Sequence, residues 1–410
     1  MNYSKLETCR VCGNTELITT LKLGDQELTG VFPKSKNETL TKGPVDLVWC
    51  NECGLLQLGH TYCASEMYGD NYGYRSGLNR SMVEHLSKKV YFLEQTFKPQ
   101  SGDVVIDIGS NDATTLKAYK TEGVKLVGID PTGAKFKKYY TDNILLIPDF
   151  FPSALYEKQC GEKAKIITSI AMFYDLDLPI DFAKSIESIL QDHGVWHFEQ
   201  SYMPSMLRLI SYDTVCHEHL EYYSLSVVKY ILDAAGMRII DVSMNAVNGG
   251  SFAVTAAKKS SSYQQNDAII NWLLEREERM GLKTLAPYKA FEESVKTHRA
   301  DLRRLLIKLR ESGKKVYGYG ASTKGNVVLQ YCGLTEKEVI AIAEVNSDKF
   351  GAYTPGTQIP IISEADARSQ NPDYFLVLPW HFKDGILKRE EEFIRNGGKF
   401  IFPFPDIEII

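Results

Sequence analysis

Two Cys-x-x-Cys-Gly pairs, Cys9/Cys12 with Gly13 and Cys50/Cys53 with Gly54, constrain this chain more than any other feature of it. Four thiolates in two pairs can close a tetrahedral zinc site, and the 37 residues between Cys12 and Cys50 then form a loop pinned by the metal. The glycine after each second cysteine suits a tight turn whose backbone N–H groups face sulfur. Four Cys ligands leave no open position for water, so the zinc is expected to be structural. A disulfide framework fits less well, because the chain is 410 residues long and scatters its other four cysteines. Those four, Cys63, Cys160, Cys216 and Cys332, read as plain buried thiols.

A chain of this length exceeds one hydrophobic core, so two or three domains are expected. The net charge of -5 and the lack of any Lys/Arg-rich run give no field for nucleic acid. No apolar run approaches the ~18 residues of a membrane span. Met1-Asn2-Tyr3-Ser4-Lys5 begins no signal peptide, which points to a soluble, cytoplasmic protein.

Residues 1–62 read as short strands and turns around the zinc. Residues 63–258 begin with an aromatic, glycine-rich passage (Tyr68, Tyr72, Gly73, Tyr74, Gly77) and a helical stretch to about 98. Strands at 103–109, 124–129, 165–170, 194–199, 238–243 and 251–257 follow, with helices such as 181–191 and 225–235 between them. Such alternation gives an α/β fold with a mostly parallel sheet covered on both faces. A charged, helix-forming stretch, 259–312, reads as a connector or lid ending at Ser312-Gly313. Residues 313–410 form a second alternating unit with strands at 315–318, 338–345 and 373–378 and helices at 323–331 and 383–396.

Each unit carries a loop where a doubly wound sheet holds its ligand. In the first, Asp107-Ile108-Gly109-Ser110-Asn111-Asp112 lacks the further glycines that let a backbone approach a pyrophosphate. The next strand ends in Asp130-Pro131, where a carboxylate can take both ribose hydroxyls or cap its own turn. Asp149-Phe150 adds an acid for an adenine amine and an aromatic wall. A ribose acid without a phosphate cradle favours S-adenosylmethionine (SAM) over NAD. In the second unit, Gly318-Tyr319-Gly320-Ala321-Ser322-Thr323-Lys324-Gly325 opens a helix with hydroxyls and a lysine, which suits the diphosphate of a nucleotide-linked substrate. It is not a Walker A loop; NAD, or a bare packing turn, is the alternative.

The densest ionisable run is Tyr212 to Tyr223, which includes His217, Glu218 and His219. The His spacing of i, i+2 cannot serve a metal from one helical face. In an extended segment His217 and His219 would share a face and Glu218 would take the other. A histidine near neutral pKa beside a carboxylate suits proton abstraction, and Tyr74, Tyr222 or Tyr223 could donate to an enolate oxygen.

Taken in order, these motifs resemble the nucleotide-sugar C-methyltransferases of deoxysugar biosynthesis over essentially the whole chain. The resemblance rests on the Cys pairs, Asn71 to Gly77, Ile106 to Ala113, Asp149-Phe150-Phe151, Tyr212 to His219, Asn248-Gly249-Gly250, Gly318 to Lys324 and Pro355 to Pro360. It implies an N-terminal zinc-binding domain, a central Rossmann-like SAM domain and a C-terminal Rossmann-like domain, with a dTDP- or GDP-linked 4-keto-6-deoxy sugar between the last two. It further implies Tyr74, Glu218 and His219 at the sugar, with His219 the base. Phe173 stands where some members that methylate C3 carry a histidine, and Cys216 where they carry a tyrosine, which leaves the sugar and the methylated carbon open. An NAD-dependent nucleotide-sugar oxidoreductase or epimerase is the alternative reading.

Overall fold

The computed structural model describes residues 2–67 and 74–410. Tyr68, Asn71, Tyr72 and Gly73, singled out above, lie outside the described residues.

The N-terminal unit is an antiparallel sheet of Leu17–Glu27, Lys42–Cys50 and Leu56–Leu58. Along Lys42–Cys50 the side chains alternate between buried and half-buried, the period-2 pattern of a strand with one face on a core. The fourth, edge strand is Glu221–Tyr222, supplied by the ionisable segment far along the chain and paired with Gln57 and Leu56. Leu58 N also donates to Leu220 O at 2.8 Å. The zinc-side sheet therefore holds the segment that carries His219.

The central sheet has seven strands in the order Met237–Asn245, Ser251–Lys258, Leu190–Ser201, Ala164–Ile170, Val104–Ile108, Lys125–Ile129, Ile144–Ile147. Only Ser251–Lys258 runs against the others. Every residue of Val104–Ile108 is buried, as expected of a strand covered by helices on both faces. One of those helices, Arg80–Phe97, starts at an Asn79 cap and buries Leu86, Val90, Leu93 and Phe97, spaced along one stripe.

The C-terminal sheet runs Ile361–Ser363, Ile342–Glu344, Val316–Tyr319, Tyr374–Val377, Lys399–Phe402, Glu408–Ile409, parallel except for the last strand. Three of these strands, at 361–363, 399–402 and 408–409, are not among those expected from the sequence. In both large sheets the strand order reverses beside the first strand, at Val104–Ile108 and at Val316–Tyr319, and the loops after those strands sit at the crevices where such sheets bind ligands.

The stretch 259–312 differs from a connector or lid. It forms Asp267–Arg279 and Ala286–Glu311, and the longer helix buries Tyr288, Phe291, Val295, His298, Leu302 and Leu306. Those side chains share one core with Leu47 and Trp49 of the N-terminal sheet and Val316 and Phe375 of the C-terminal sheet. The high charge lies on the outer face and masks an ordinary apolar stripe. Among the described residues, no helix is long and apolar enough to cross a membrane.

Candidate active site

The metal site is built from two identical turns. Gly13 N donates to Cys9 O and Gly54 N to Cys50 O, each at 2.9 Å, with both glycines at positive φ. This folds Cys9, Cys12, Cys50 and Cys53 together, with all four Sγ atoms within 4.8 Å of one another. Cys9–Cys53 and Cys12–Cys50 are 3.6 and 3.5 Å apart. Zinc bonds of about 2.3 Å at tetrahedral angles need sulfurs about 3.8 Å apart, so the cluster fits zinc. Asn14 Nδ2 lies 3.7 Å from Cys50 Sγ, a donor aimed at the ligand sulfur. Cys9 and Cys50 are buried beside the central domain, and Arg10, between the first pair, reaches Gln57, Leu58 O and Thr61.

At the first loop, Gly109 N donates to Ile129 O at 2.8 Å and Asn111 N to Asp130 Oδ2 at 2.7 Å. Asp130 Oδ1 accepts from both Thr132 N and Thr132 Oγ1 at 2.6 Å, so this carboxylate caps its own turn, beside Pro131, as well as bracing the loop. Its Oδ2 keeps lone-pair capacity for a ribose hydroxyl. Asp149 turns inward, accepting from Phe150 N and Ser153 Oγ at 2.8 Å each, while the Phe150 ring is 54% exposed. Asp107 is buried against Thr168 Oγ1, and desolvation pushes its pKa up to about 7. An exposed aromatic flanked by acids, with no phosphate cradle, fits an adenosine carrying no phosphate. Tyr74 belongs to this loop's surroundings: its carbonyl accepts from Asn111 Nδ2 at 3.2 Å, and its ring is 51% exposed.

The second loop is braced in the same manner, with Gly320 N on Ala343 O and Glu344 Oε2 accepting Ala321 N at 2.7 Å. Ser322 caps the helix Thr323–Cys332 by accepting Gly325 N at 3.0 Å. Lys324 Nζ crosses to the central domain and donates to Asn248 O at 3.2 Å. Tyr319 does not join the loop's ligand side. It is 5% exposed and packs on Phe375 and Phe400, with its hydroxyl on Glu390 at 2.9 Å. As the last residue of a strand, it faces whichever side the pleat assigns, and here that is the core.

The ionisable segment lies near the second loop, with Lys324 close enough to act on His219. His219 Nδ1 is 2.8 Å from Thr214 O, so that nitrogen carries the proton and Nε2 is left as the basic site. The ring meets Tyr174 edge-on at 4.5 Å and lines a small cleft with Ser201, Met206, Thr214, Glu221 and Tyr222. Burial, and then the Lys324 ammonium, push the His219 pKa down to about 4. Glu218 Oε2 accepts from Thr29 Oγ1 at 3.4 Å, and burial raises its pKa. Tyr222 donates to Thr214 O at 3.3 Å.

His217 does not share a face with His219. It is fully buried, donates from Nε2 to Gln26 O at 3.3 Å, and packs edge-on to Tyr62 at 4.6 Å. The cause is a turn, His219 N to Cys216 O at 3.2 Å, which breaks the alternation of an extended segment and leaves Glu218 and His219 partly exposed together. Phe173 is core, stacked on Tyr223 at 5.3 Å, and Cys216 is fully buried.

Two groups were missed. Glu221 lines the His219 cleft, and its two carboxylate oxygens are buried without a hydrogen-bond partner, Oε1 lying 4.0 Å from Arg10 Nε. Its place two residues after His219 in the same ionisable run was the available signal. Asp213 Oδ2 accepts from Trp380 Nε1 at 2.8 Å across the domain junction, a pairing no local pattern announces.

Three family models match successive parts of the chain: a zinc-binding domain at residues 9–68, a methyltransferase domain at 78–242 and a C-methyltransferase C-terminal domain at 246–405. The C-methyltransferase NovU of Streptomyces niveus is 29% identical over 409 residues, spanning 99% of this chain and 97% of NovU. Among solved structures, the CcbJ methyltransferase from Streptomyces caelestis is 10% identical, covering 42% of this chain and 89% of its own at a TM-score of 0.34. A SAM-dependent methyltransferase from Clostridium acetobutylicum is 11% identical, covering 43% and 92% at a TM-score of 0.33. Overlaps of that size bear on no residue of the site. The three matched domains and the end-to-end likeness to NovU place this chain among the zinc-binding, SAM-dependent C-methyltransferases.

Proposed function

We propose that the protein methylates C3 of a nucleotide-linked 4-keto-6-deoxy sugar through an enolate, in the cytoplasm. Its units divide near residues 62, 258 and 312. The observation that supports this reading most is Lys324, which stands at the start of the second loop's helix, bonds Asn248 O and lies close enough to act on His219. A ketone at C4 acidifies the neighbouring C–H. His219, held neutral and with Nδ1 tied to Thr214 O, takes that proton at Nε2. Glu218 orients the sugar ring, and Tyr74 donates to the developing enolate oxygen. Lys324, Ser322 and Thr323 at the helix start, together with Asn248 and Tyr222, hold the sugar nucleotide, whether dTDP- or GDP-linked. When bound at the first loop, SAM supplies an electrophilic methyl group.

Solvent deuterium exchange without SAM tests the proton step. In D2O the wild type incorporates deuterium at C3 of dTDP-4-keto-6-deoxyglucose, and His219→Asn loses about 10²–10⁴ of that rate with SAM affinity unchanged. Equal exchange in both proteins would remove His219 from the mechanism. Calorimetric binding of NAD but not SAM would favour the oxidoreductase alternative.

A further inference from the structure

The segment after Leu17–Glu27 is clamped from two sides. Glu27 N donates to Gln330 Oε1 at 2.8 Å, and Gln330 Nε2 returns a bond to Glu27 O at 3.1 Å. Thr29 O accepts from Asn326 Nδ2 at 2.8 Å, so residues 27–29 are fixed to the helix Thr323–Cys332. On the other side, the Thr29 hydroxyl donates to Glu218 Oε2 at 3.4 Å. Next comes Gly30. A Cβ built there would overlap Glu218 Oε1 and lie 3.7 Å from Thr323 Oγ1. Gly30 is not at positive φ, so its backbone is open to any residue. The nearest obstacle to a side chain at this position is therefore the Glu218 carboxylate, the far end of a flexible side chain.

We propose that the Thr29–Gly30 turn of the zinc-binding unit is a positioning element for Glu218. Thr29 draws the carboxylate in with a hydroxyl, and Gly30 keeps open the space it occupies. All three units then meet at one point, because Gly30, Glu218 and Thr323 come from the N-terminal, central and C-terminal parts of the chain. The zinc supports this indirectly: it anchors the sheet whose first strand leads into the turn and whose edge strand leads out of Glu218 and His219. The proposal rests on the reading above that Glu218 acts on the sugar, and it adds the element that sets where the carboxylate sits.

A double-mutant cycle tests it, with methyl transfer to dTDP-4-keto-6-deoxyglucose as the assay. Gly30→Ala is expected to lower kcat about 10- to 100-fold, the scale of an ångström-sized misplacement, with SAM affinity and Tm close to wild type. In a Glu218→Asp background, whose shorter carboxylate clears the new methyl, the same change is expected to cost less than about twofold. Thr29→Val should show the same non-additivity, which keeps the test alive if Gly30→Ala folds poorly. A crystal structure of Gly30→Ala should show the Glu218 carboxylate displaced. Equal losses in both backgrounds, or an unmoved carboxylate, would overturn the proposal. Wild-type turnover in Glu218→Gln would instead remove the reading of Glu218 on which it rests, and the proposal with it.

Discussion

The two glycine loops are built on the same plan up to one element. In each, the loop's glycine N–H bonds to the second strand, Gly109 to Ile129 O and Gly320 to Ala343 O. In each, the acid ending that strand braces the loop, Asp130 on Asn111 N and Glu344 on Ala321 N, both at 2.7 Å. They diverge immediately afterwards. The first loop runs into a short turn, Leu116–Ala118, and the same sheet carries an exposed Phe150 after its third strand in sequence. The second opens the ten-residue helix Thr323–Cys332, capped by Ser322 and carrying Lys324 in its first turn. A helix start with a cation suits a diphosphate, whereas a bare turn with acids and an aromatic suits an uncharged nucleoside. The acid usually taken as the mark of a dinucleotide site says little here, because in both sheets it serves the loop as well.

The largest expected effect concerns the support shared by both halves. Removing zinc, worth about 10–16 kcal/mol in small structural sites, should unravel the N-terminal sheet and with it the edge strand Glu221–Tyr222. Chelation is therefore expected to abolish methyl transfer while calorimetry still detects SAM at the first loop. Retained turnover in the metal-free protein would break the link between zinc and His219.

Next come the loops themselves. Lys324→Ala should weaken the sugar nucleotide about 10- to 100-fold, as for a lost charge-assisted hydrogen bond, and leave SAM affinity unchanged. It should also raise the acid limb of the pH–rate profile, because Lys324 holds the His219 pKa down. Asp130→Asn should do the reverse, weakening SAM about tenfold and leaving the nucleotide alone. If either change moved both affinities equally, the assignment of one ligand to each loop would fail.

The smallest effect is on stability in acid. Burial depresses His197 to about 3 and His217 to about 4, against 6.5 in an unfolded chain. Between those values the unfolded state binds protons that the folded state refuses, so the stability present above pH 6.5 falls as the pH drops towards 4. The slope is about 1.4 kcal/mol per pH unit for each such histidine. Denaturant melts from pH 7 to 4.5 should show it, with a shallower slope in His217→Gln.

What could be read from the chain tracks what is local. The Cys-x-x-Cys-Gly turns, the all-apolar Val104–Ile108 and the Gly318 to Lys324 turn announce themselves because sequence neighbours make them. The pleat that sends Tyr319 into the core, the turn that separates His217 from His219 and the inner stripe of Ala286–Glu311 depend on what lies across the fold. So do Asp213 with Trp380, and Gly30 under Glu218, each pair more than 160 residues apart in the chain.

The most direct test is a crystal soaked with S-adenosylhomocysteine and dTDP together. The account predicts adenosine density beside Phe150 and Asp130, and a diphosphate at Ser322–Lys324, with His219 facing the gap between them. A dinucleotide at Asp130, or a diphosphate bound anywhere else, would contradict it.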